Sequence, residues 1–282
     1  MTKRTAYVMI DPRIQRAKTL IDDALAAPPG VRRKAVALIA GVLCHSMFAA
    51  AILSMIYAMF YGLTTGLGRV PHPWSYLVNI ILVVQFPVAH SLLLTAPGRG
   101  LLARLAPAGY GSSLSTTSYA IVASLQLLTL FWLWTPSGTT WWRAEGTALL
   151  LICFAYLGAW LLLIKAIFDA GVELQSGALG WLSLLANKSP KFPDLPTLGL
   201  FRFLRQPIYL AFALTLWTVP LWTPDQMLLA VLWTGYCVVA PLLKERRYAN
   251  QFGQRFRSYQ QSTPYMIPRV AKRSHRDVEH AK

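Results

Sequence analysis

Between Pro207 and Arg247 the chain reads PIYLAFALTLWTVPLWTPDQMLLAVLWTGYCVVAPLLKERR, and this stretch decides the fold. Two apolar segments, 207–222 and 225–243, are joined by the short turn Thr223-Pro224-Asp225. A membrane span needs roughly 20 apolar residues, fewer where protein covers part of the helix. Both segments are short and tightly linked, so they are expected to form a helical hairpin. Pro220 and Pro241 sit near span ends, where a kink is tolerated. Charge flanks the hairpin on both sides, with Arg205 before it and Lys244-Glu245-Arg246-Arg247 after it.

Working outward, four more apolar runs cover about 36–62, 74–96, 119–135 and 147–168. The chain is 55% hydrophobic and 13% charged, against about 25% charged for a soluble domain. The expected fold is therefore all-α, a polytopic membrane bundle of about six spans embedded in a lipid bilayer. The net charge of +16 sits in Lys and Arg at the edges of apolar runs. That placement speaks for membrane orientation and against nucleic acid as a partner. Lys and Arg are dense in the N-tail, in 97–118, in 169–206 and after Lys244, and sparse in the alternate loops. Both termini are thus expected in the cytoplasm, with Trp74, Trp141, Trp142 and Trp222 at the outer boundary. No cleavable signal peptide is expected, because the first apolar run follows a long charged lead. The expected organisation is a basic N-tail (1–35), a four-span bundle (36–168), a cytoplasmic loop (169–206), a hairpin with a C-terminal segment (207–268), and a basic tail (269–282). Residues 13–27 can form a surface amphipathic helix or belong to a solvated tail. Cys44, Cys153 and Cys237 lie inside apolar runs with no zinc spacing, so no metal site is expected.

This topology brings distant polar residues to one depth. His90 is late in the second span, Asp169 and Glu173 follow the fourth, Arg205 precedes the fifth and Glu245 follows the sixth. Pro207 suits the first turn of a helix, which leaves Arg205 beside free backbone N–H groups. That pairing makes an anion site, or else a snorkelling Arg at an interface. Tyr209 is four residues on and can share its face. Glu245 either pairs locally within its basic run or accepts from a ligand. Phe252-Gly253, Tyr259, Pro264 and Pro268 make a tail with aromatic anchors and rigid turns, which can fold back as a lid.

Taken together, Arg205-Gln206-Pro207-Ile208-Tyr209, Lys244-Glu245, Phe252-Gly253 with Tyr259, and Pro264-Tyr265-Met266-Ile267-Pro268 resemble the C-terminal signature of the isoprenylcysteine carboxyl methyltransferase superfamily. Family members show Arg-His-Pro-x-Tyr, Glu-Glu and a Phe-Gly-x-x-Tyr-x-x-Tyr tail. Here Gln206 replaces the His, Lys244 the first Glu and Phe256 the first Tyr. A second resemblance runs through Gln85-Phe86-Pro87-Val88-Ala89-His90-Ser91, Ser118-Tyr119, Phe131-Trp132-Leu133-Trp134-Thr135-Pro136 and 168–177. It is to the NnrU-type branch, which includes bacterial enzymes that S-methylate methanethiol. An Ala-Arg and a Glu-Arg of that branch are missing here, with Leu94-Thr95 and Ser115-Thr116 nearby instead.

The resemblance implies a membrane methyltransferase using S-adenosylmethionine as cofactor, in a pocket closed by the C-terminal segment. Carried over by position, Gln206, Tyr209 and Glu245 line the cofactor, with Arg205, Arg246 and Tyr259 beside them. A small thiol such as methanethiol, or another apolar methyl acceptor, is the implied partner, and dimethyl sulfide the product. The implied localisation is the bacterial inner membrane, with the site facing the cytoplasm. In this reading His90 accepts the thiol proton and Arg205 supplies positive potential. Three rivals remain: O-methylation of prenylated cysteine, a non-catalytic membrane protein, and a haem protein with His45 and His90 as axial ligands. Each His can instead make an interhelical hydrogen bond.

Overall fold

The computed structural model describes residues 11–268; the expected tail 269–282 and the first ten residues lie outside them. Ten α-helices succeed one another in the described residues. They are α1 (Pro12–Leu25), α2 (Val31–Phe60), α3 (Trp74–Leu93), α4 (Ala96–Leu105), α5 (Gly111–Leu133), α6 (Gly146–Gln175), α7 (Ala178–Leu185), α8 (Pro207–Trp217), α9 (Pro224–Phe252) and α10 (Gln254–Ser262). The fold is a polytopic helical bundle, as composition requires. Helices α2, α3, α5, α6 and α9 are long and apolar enough to cross a membrane.

The expected fifth span differs. Helix α8 has 11 residues, a rise of about 16 Å, roughly half a bilayer core. It stops because Pro220 cannot continue it and the chain turns extended. Leu221–Trp222 (β2) then pairs antiparallel with Trp142–Arg143 (β1), so Trp142 faces Trp222. Irregular backbone at depth is tolerable when protein satisfies it. Gln226 Nε2 accordingly donates to the Leu216 carbonyl at 2.8 Å. Thr223 caps α9, its hydroxyl accepting from the Gln226 N–H at 3.0 Å and donating to the Gly62 carbonyl at 2.6 Å.

Packing joins α2 to α5 and α7, α6 to α8, α8 to α9, and α3 to α5 and α9. Met59, Leu130, Trp134, Leu216, Leu229 and Trp233 fill the interior. Trp233 donates to the Val83 carbonyl at 3.1 Å, tying α9 to α3. Asp225 is buried at the opposite end from Glu245, accepting from Trp134 Nε1 at 3.0 Å and from Ser137 N–H and O–H at 2.9 and 2.6 Å. Outside, Ile39, Val42, Leu150, Phe154, Leu161 and Val239 are exposed along the helices. So much contiguous apolar surface is stable only against lipid.

Two segments read as loops are partly helical. Helix α4 begins on Thr95, whose hydroxyl accepts from the Gly98 N–H at 3.3 Å. Helix α7 occupies part of 169–206 and packs on α2 and α5. Helix α6 is broken near its end at Gly171 (φ 102°, ψ 89°). Helix α1 docks against α6 and α7.

Candidate functional site

Pro207 starts α8, as its missing N–H allows, and Gln206 is the N-cap residue. Its side chain makes no capping bond. Instead Gln206 Nε2 donates to Glu245 Oε1 at 2.7 Å. Arg205 reaches the same carboxylate as a fork, Nε to Oε1 at 2.8 Å and Nη2 to Oε2 at 3.3 Å. Gln260 of α10 completes the set, its Nε2 donating to Oε2 at 2.9 Å. Glu245 is 6% exposed, and a buried carboxylate is stable only when its lone pairs are filled in this way.

The C-terminal segment closes over these groups. Arg205 N–H donates to the Pro264 carbonyl at 2.9 Å and Gln206 N–H to Tyr265 at 3.1 Å. Arg205 Nη1 donates to the carbonyls of Gln260 at 2.8 Å and Thr263 at 2.7 Å. The Tyr259 hydroxyl donates to the Phe201 carbonyl at 2.6 Å. Burial pushes the Tyr259 phenol above its usual range, which keeps that hydroxyl a donor. Under this cover lies a cavity of about 10 Å³ lined by Phe201, Arg205, Gln206, Lys244, Tyr248, Phe256 and Tyr259. That is room for about one water. Gln206 is 1% exposed, and its Oε1 has no partner. A buried acceptor without a donor calls for an explanation. The amino or hydroxyl groups of a nucleoside would supply one, so the residues present fit S-adenosylmethionine.

The other expected residues fall around this centre. Tyr209 lies under Lys244, whose Nζ is 5.1 Å from its ring centroid and 5.7 Å from that of Tyr248. Arg246 is exposed, and among the described residues it makes no side-chain hydrogen bond or ion pair. His90 packs between Phe86 and Tyr119, at ring distances of 5.0 and 4.9 Å, with its Nδ1 buried and unpartnered. It does not touch Glu245. Arg247, three residues after Lys244 on α9, is exposed. His45 Nε2 instead accepts from Trp181 Nε1 at 3.0 Å between α2 and α7. An interhelical bond thus accounts for His45, and one nitrogen a haem iron could use is taken.

Sequence reasoning left out Gln260, Arg247 and the N-tail arginines. Asp11 caps α1 and pairs with Arg13, which also bonds Asp169. Arg13 holds the Asp11 carboxyl down to about 2. Lys165 Nζ lies 2.5 Å from Asp169, and Leu200 N–H donates to it at 2.8 Å. Arg16 Nε bonds Glu173 at 2.6 Å. Gln260 carries no motif, and Arg13 and Arg16 look like any basic tail, so no signal marked them.

The bundle, the closing tail and the shared carboxylate define a class, polytopic helical membrane proteins whose C-terminal segment folds over a buried carboxylate. Mouse nurim is 31% identical over 193 residues, covering 63% of this chain and 70% of its own. Methanethiol S-methyltransferase 1 of Bradyrhizobium diazoefficiens is 29% identical over 196 residues (69% and 67%). Methanethiol S-methyltransferase of Pseudomonas sp. (strain GM41(2012)) is 27% identical over 248 residues (84% and 91%). The chain belongs to the family these proteins represent, the isoprenylcysteine carboxyl methyltransferase-like superfamily. No family model matches the chain, and no solved structure does.

Proposed function

We propose that this protein is an integral membrane methyltransferase that uses S-adenosylmethionine to S-methylate a small thiol, methanethiol giving dimethyl sulfide. The observation that carries the reading is the Arg205–Gln206–Glu245 network, with the Gln206 Oε1 buried and unpartnered and a small cavity lined by Gln206, Phe256 and Tyr259. The methanethiol S-methyltransferases among its relatives support the choice of acceptor.

Glu245 and Gln206 would hold the nucleoside, with Tyr259 and Phe256 forming its cover. Bound there, the cofactor supplies a methyl carbon made electrophilic by a sulfonium. The thiol would approach from the lipid side, toward His90, which packs against Phe86 and Tyr119. His90 Nδ1 takes the S–H proton, because a thiolate is a far better nucleophile than a thiol. Arg205 and Arg247 supply positive potential for the developing thiolate. Positioning of the thiol against the donor by these residues would do most of the work. The site faces the cytoplasm, and the host membrane is the bacterial inner membrane.

Purified protein in lipid nanodiscs should retain radiolabelled S-adenosylmethionine, and cells given methanethiol should release dimethyl sulfide into the headspace. Failure of the folded protein to bind the labelled donor would sink the enzyme reading. Donor binding with methylation of a prenylated cysteine peptide, and none of methanethiol, would move the acceptor to the O-methylating class.

A further inference from the structure

At the end of the bundle where α2 and α5 finish and α9 begins, three cavities run into one another. From Asp225 to Glu245, α9 rises about 30 Å, the thickness of a bilayer core. This end therefore meets the membrane face opposite the Glu245 cluster. The first cavity, of about 610 Å³, is lined by Thr64, Thr65, Arg69 and Thr135, and no carboxylate of the described residues borders it. Thr65 and Leu67 also line the second, of about 230 Å³, together with Tyr57, Phe131 and Trp132. Tyr57 in turn borders the third, of about 390 Å³, walled by Leu53, Ile56, Phe60 and Tyr61. The lining thus passes from a guanidinium and hydroxyls to aliphatic and aromatic side chains.

The wall shared by the first two cavities is held in place by the backbone. Leu67 N–H donates to the Trp132 carbonyl at 2.8 Å and Gly68 N–H to the Trp134 carbonyl at 3.0 Å. Gly66 and Gly68 permit this approach, because a Cβ on them would collide with the carbonyls of Trp134 and Leu133. Leu63, just before them, has φ 57°, a left-handed conformation that a side chain disfavours. Its burial in the core holds it there, and strain of this kind collects at ligand clamps. Trp132 Nε1 donates to Ser54 Oγ at 3.0 Å, fixing the indole that lines the second cavity. Arg69 makes no ion pair among the described residues. Its Nη1 donates only to the neighbouring Gly68 carbonyl, at 3.2 Å, so its remaining N–H groups are left for an anion.

A guanidinium at the membrane boundary, continuous with an apolar groove, matches a molecule with a phosphate at one end and an acyl chain at the other. One cation without a carboxylate complements a phosphodiester of single negative charge. The ammonium of a zwitterionic headgroup would find no counterion in this lining.

We propose that this cleft binds one anionic glycerophospholipid from the leaflet opposite the Glu245 cluster. Its phosphate lies on Arg69 and Thr65, and an acyl chain lies in the groove between Tyr57, Phe131 and Trp132. The lipid bridges the end of α2, the 64–70 loop and the end of α5. This site is separate from the donor site and does not rest on the donor reading.

The test titrates delipidated full-length protein in mild detergent with phosphatidylglycerol, with phosphatidylcholine of the same acyl chains, and with glycerol 3-phosphate. Native mass spectrometry counts the bound molecules. Phosphatidylglycerol should bind about tenfold tighter than phosphatidylcholine, as one charge-assisted bond provides. Glycerol 3-phosphate at equal concentration should not displace it. Arg69→Gln changes an exposed side chain. It should lose one equivalent of phosphatidylglycerol, and with it the rise in melting temperature that a bound ligand brings. Leu67→Ala trims the apolar wall and should weaken both lipids about threefold without changing their ratio. Equal affinity for the two lipids in the wild type overturns the proposal. So does an unchanged count of phosphatidylglycerol in Arg69→Gln. Displacement by glycerol 3-phosphate overturns it too, because an anion without an acyl chain would then suffice.

Discussion

Two carboxylates, Glu245 and Asp169, anchor charged clusters built in opposite ways. Glu245 is bonded by Arg205, Gln206 and Gln260, all contributed by the hairpin and its tail. Asp169 is bonded by Arg13, from a helix 156 positions away in sequence, as well as by its neighbour Lys165 and by Leu200. Both are buried and both are filled. They differ in what they fasten: Glu245 holds a cover over a cavity, whereas Asp169 holds a helix against the bundle. The contrast suggests that each can be broken without the other, and the experiments below are ordered by the size of effect expected.

The largest effect is expected at Glu245. Glu245→Ala removes the acceptor shared by three donors and leaves the Arg205 guanidinium without its counterion. Breaking a buried pair of this kind costs about 3–5 kcal/mol. Part of that is expected as loosening of 254–268, visible as faster proteolysis after Arg255 or Arg257. Labelled S-adenosylmethionine should no longer bind at micromolar concentration. Retained binding with a loosened tail would show that Glu245 serves the cover alone.

Asp169→Asn is expected to act on the other cluster. The side chain of Asp169 has no exposed surface, so neutralising it weakens its bonds to Arg13 and Lys165; Arg13 keeps Asp11 and Lys165 is 53% exposed, which limits the cost to about 1–3 kcal/mol. Hydrogen exchange should accelerate across α1 and remain unchanged across α10. Equal acceleration in both would mean that the two clusters form one cooperative unit.

Much of the Glu245 cluster was legible in the sequence because its residues match a family signature. The resemblance set Gln206 and Glu245 together beside Arg205, and the structure joins the three. Gln260 escaped, since a glutamine on a short polar helix carries no periodic or motif signal. Asp169 and Glu173 were placed at the right depth by counting spans, but their partners were not. A basic N-tail can serve topology, lipid or a salt bridge, and only the folded chain brings Arg13 and Arg16 to α6. The bundle itself was legible from apolar runs. The length of α8 was not, because the hydrophobicity of 207–222 continues through Leu221 and Trp222, where the backbone has already become a strand.

A smaller effect is expected at Lys244, which lines the Glu245 cavity and stands over Tyr209 and Tyr248. Its ammonium would repel a bound sulfonium. Lys244→Met keeps an apolar chain over the rings and removes the charge. A cation–π contact of about 0.5–2 kcal/mol is lost from stability. Donor affinity should rise about three- to tenfold, the range a single screened charge near the ligand can supply. The same substitution should leave hydrogen exchange in α1 untouched, which keeps the two clusters distinct. Weaker donor binding in Lys244→Met would mean that the ammonium contributes a contact to the ligand.

The smallest effect comes from acid, and it is expected to reach the Asp169 side first. Arg13 lowers the Asp11 carboxyl from 3.8 to about 2, and Arg255 holds the Asp194 carboxyl below its ordinary range. A depressed carboxylate stabilises the folded state fully above its unfolded value and loses that contribution as pH falls through its folded value. For Asp11 the window runs from about pH 4 to about pH 2, so α1 docking should be flat from pH 7 to pH 5 and weaken only below that. Both carboxylates sit at the surface, so the change is small, a gradual rise in exchange across α1 without loss of helicity in the bundle. Asp11→Asn should flatten the acid response at α1 and remove the N-cap charge, leaving the Glu245 cover unaffected. If α1 instead loosened between pH 7 and pH 5, a group titrating near neutrality would have to hold it, and the Asp11–Arg13–Asp169 chain would not be what fastens the helix.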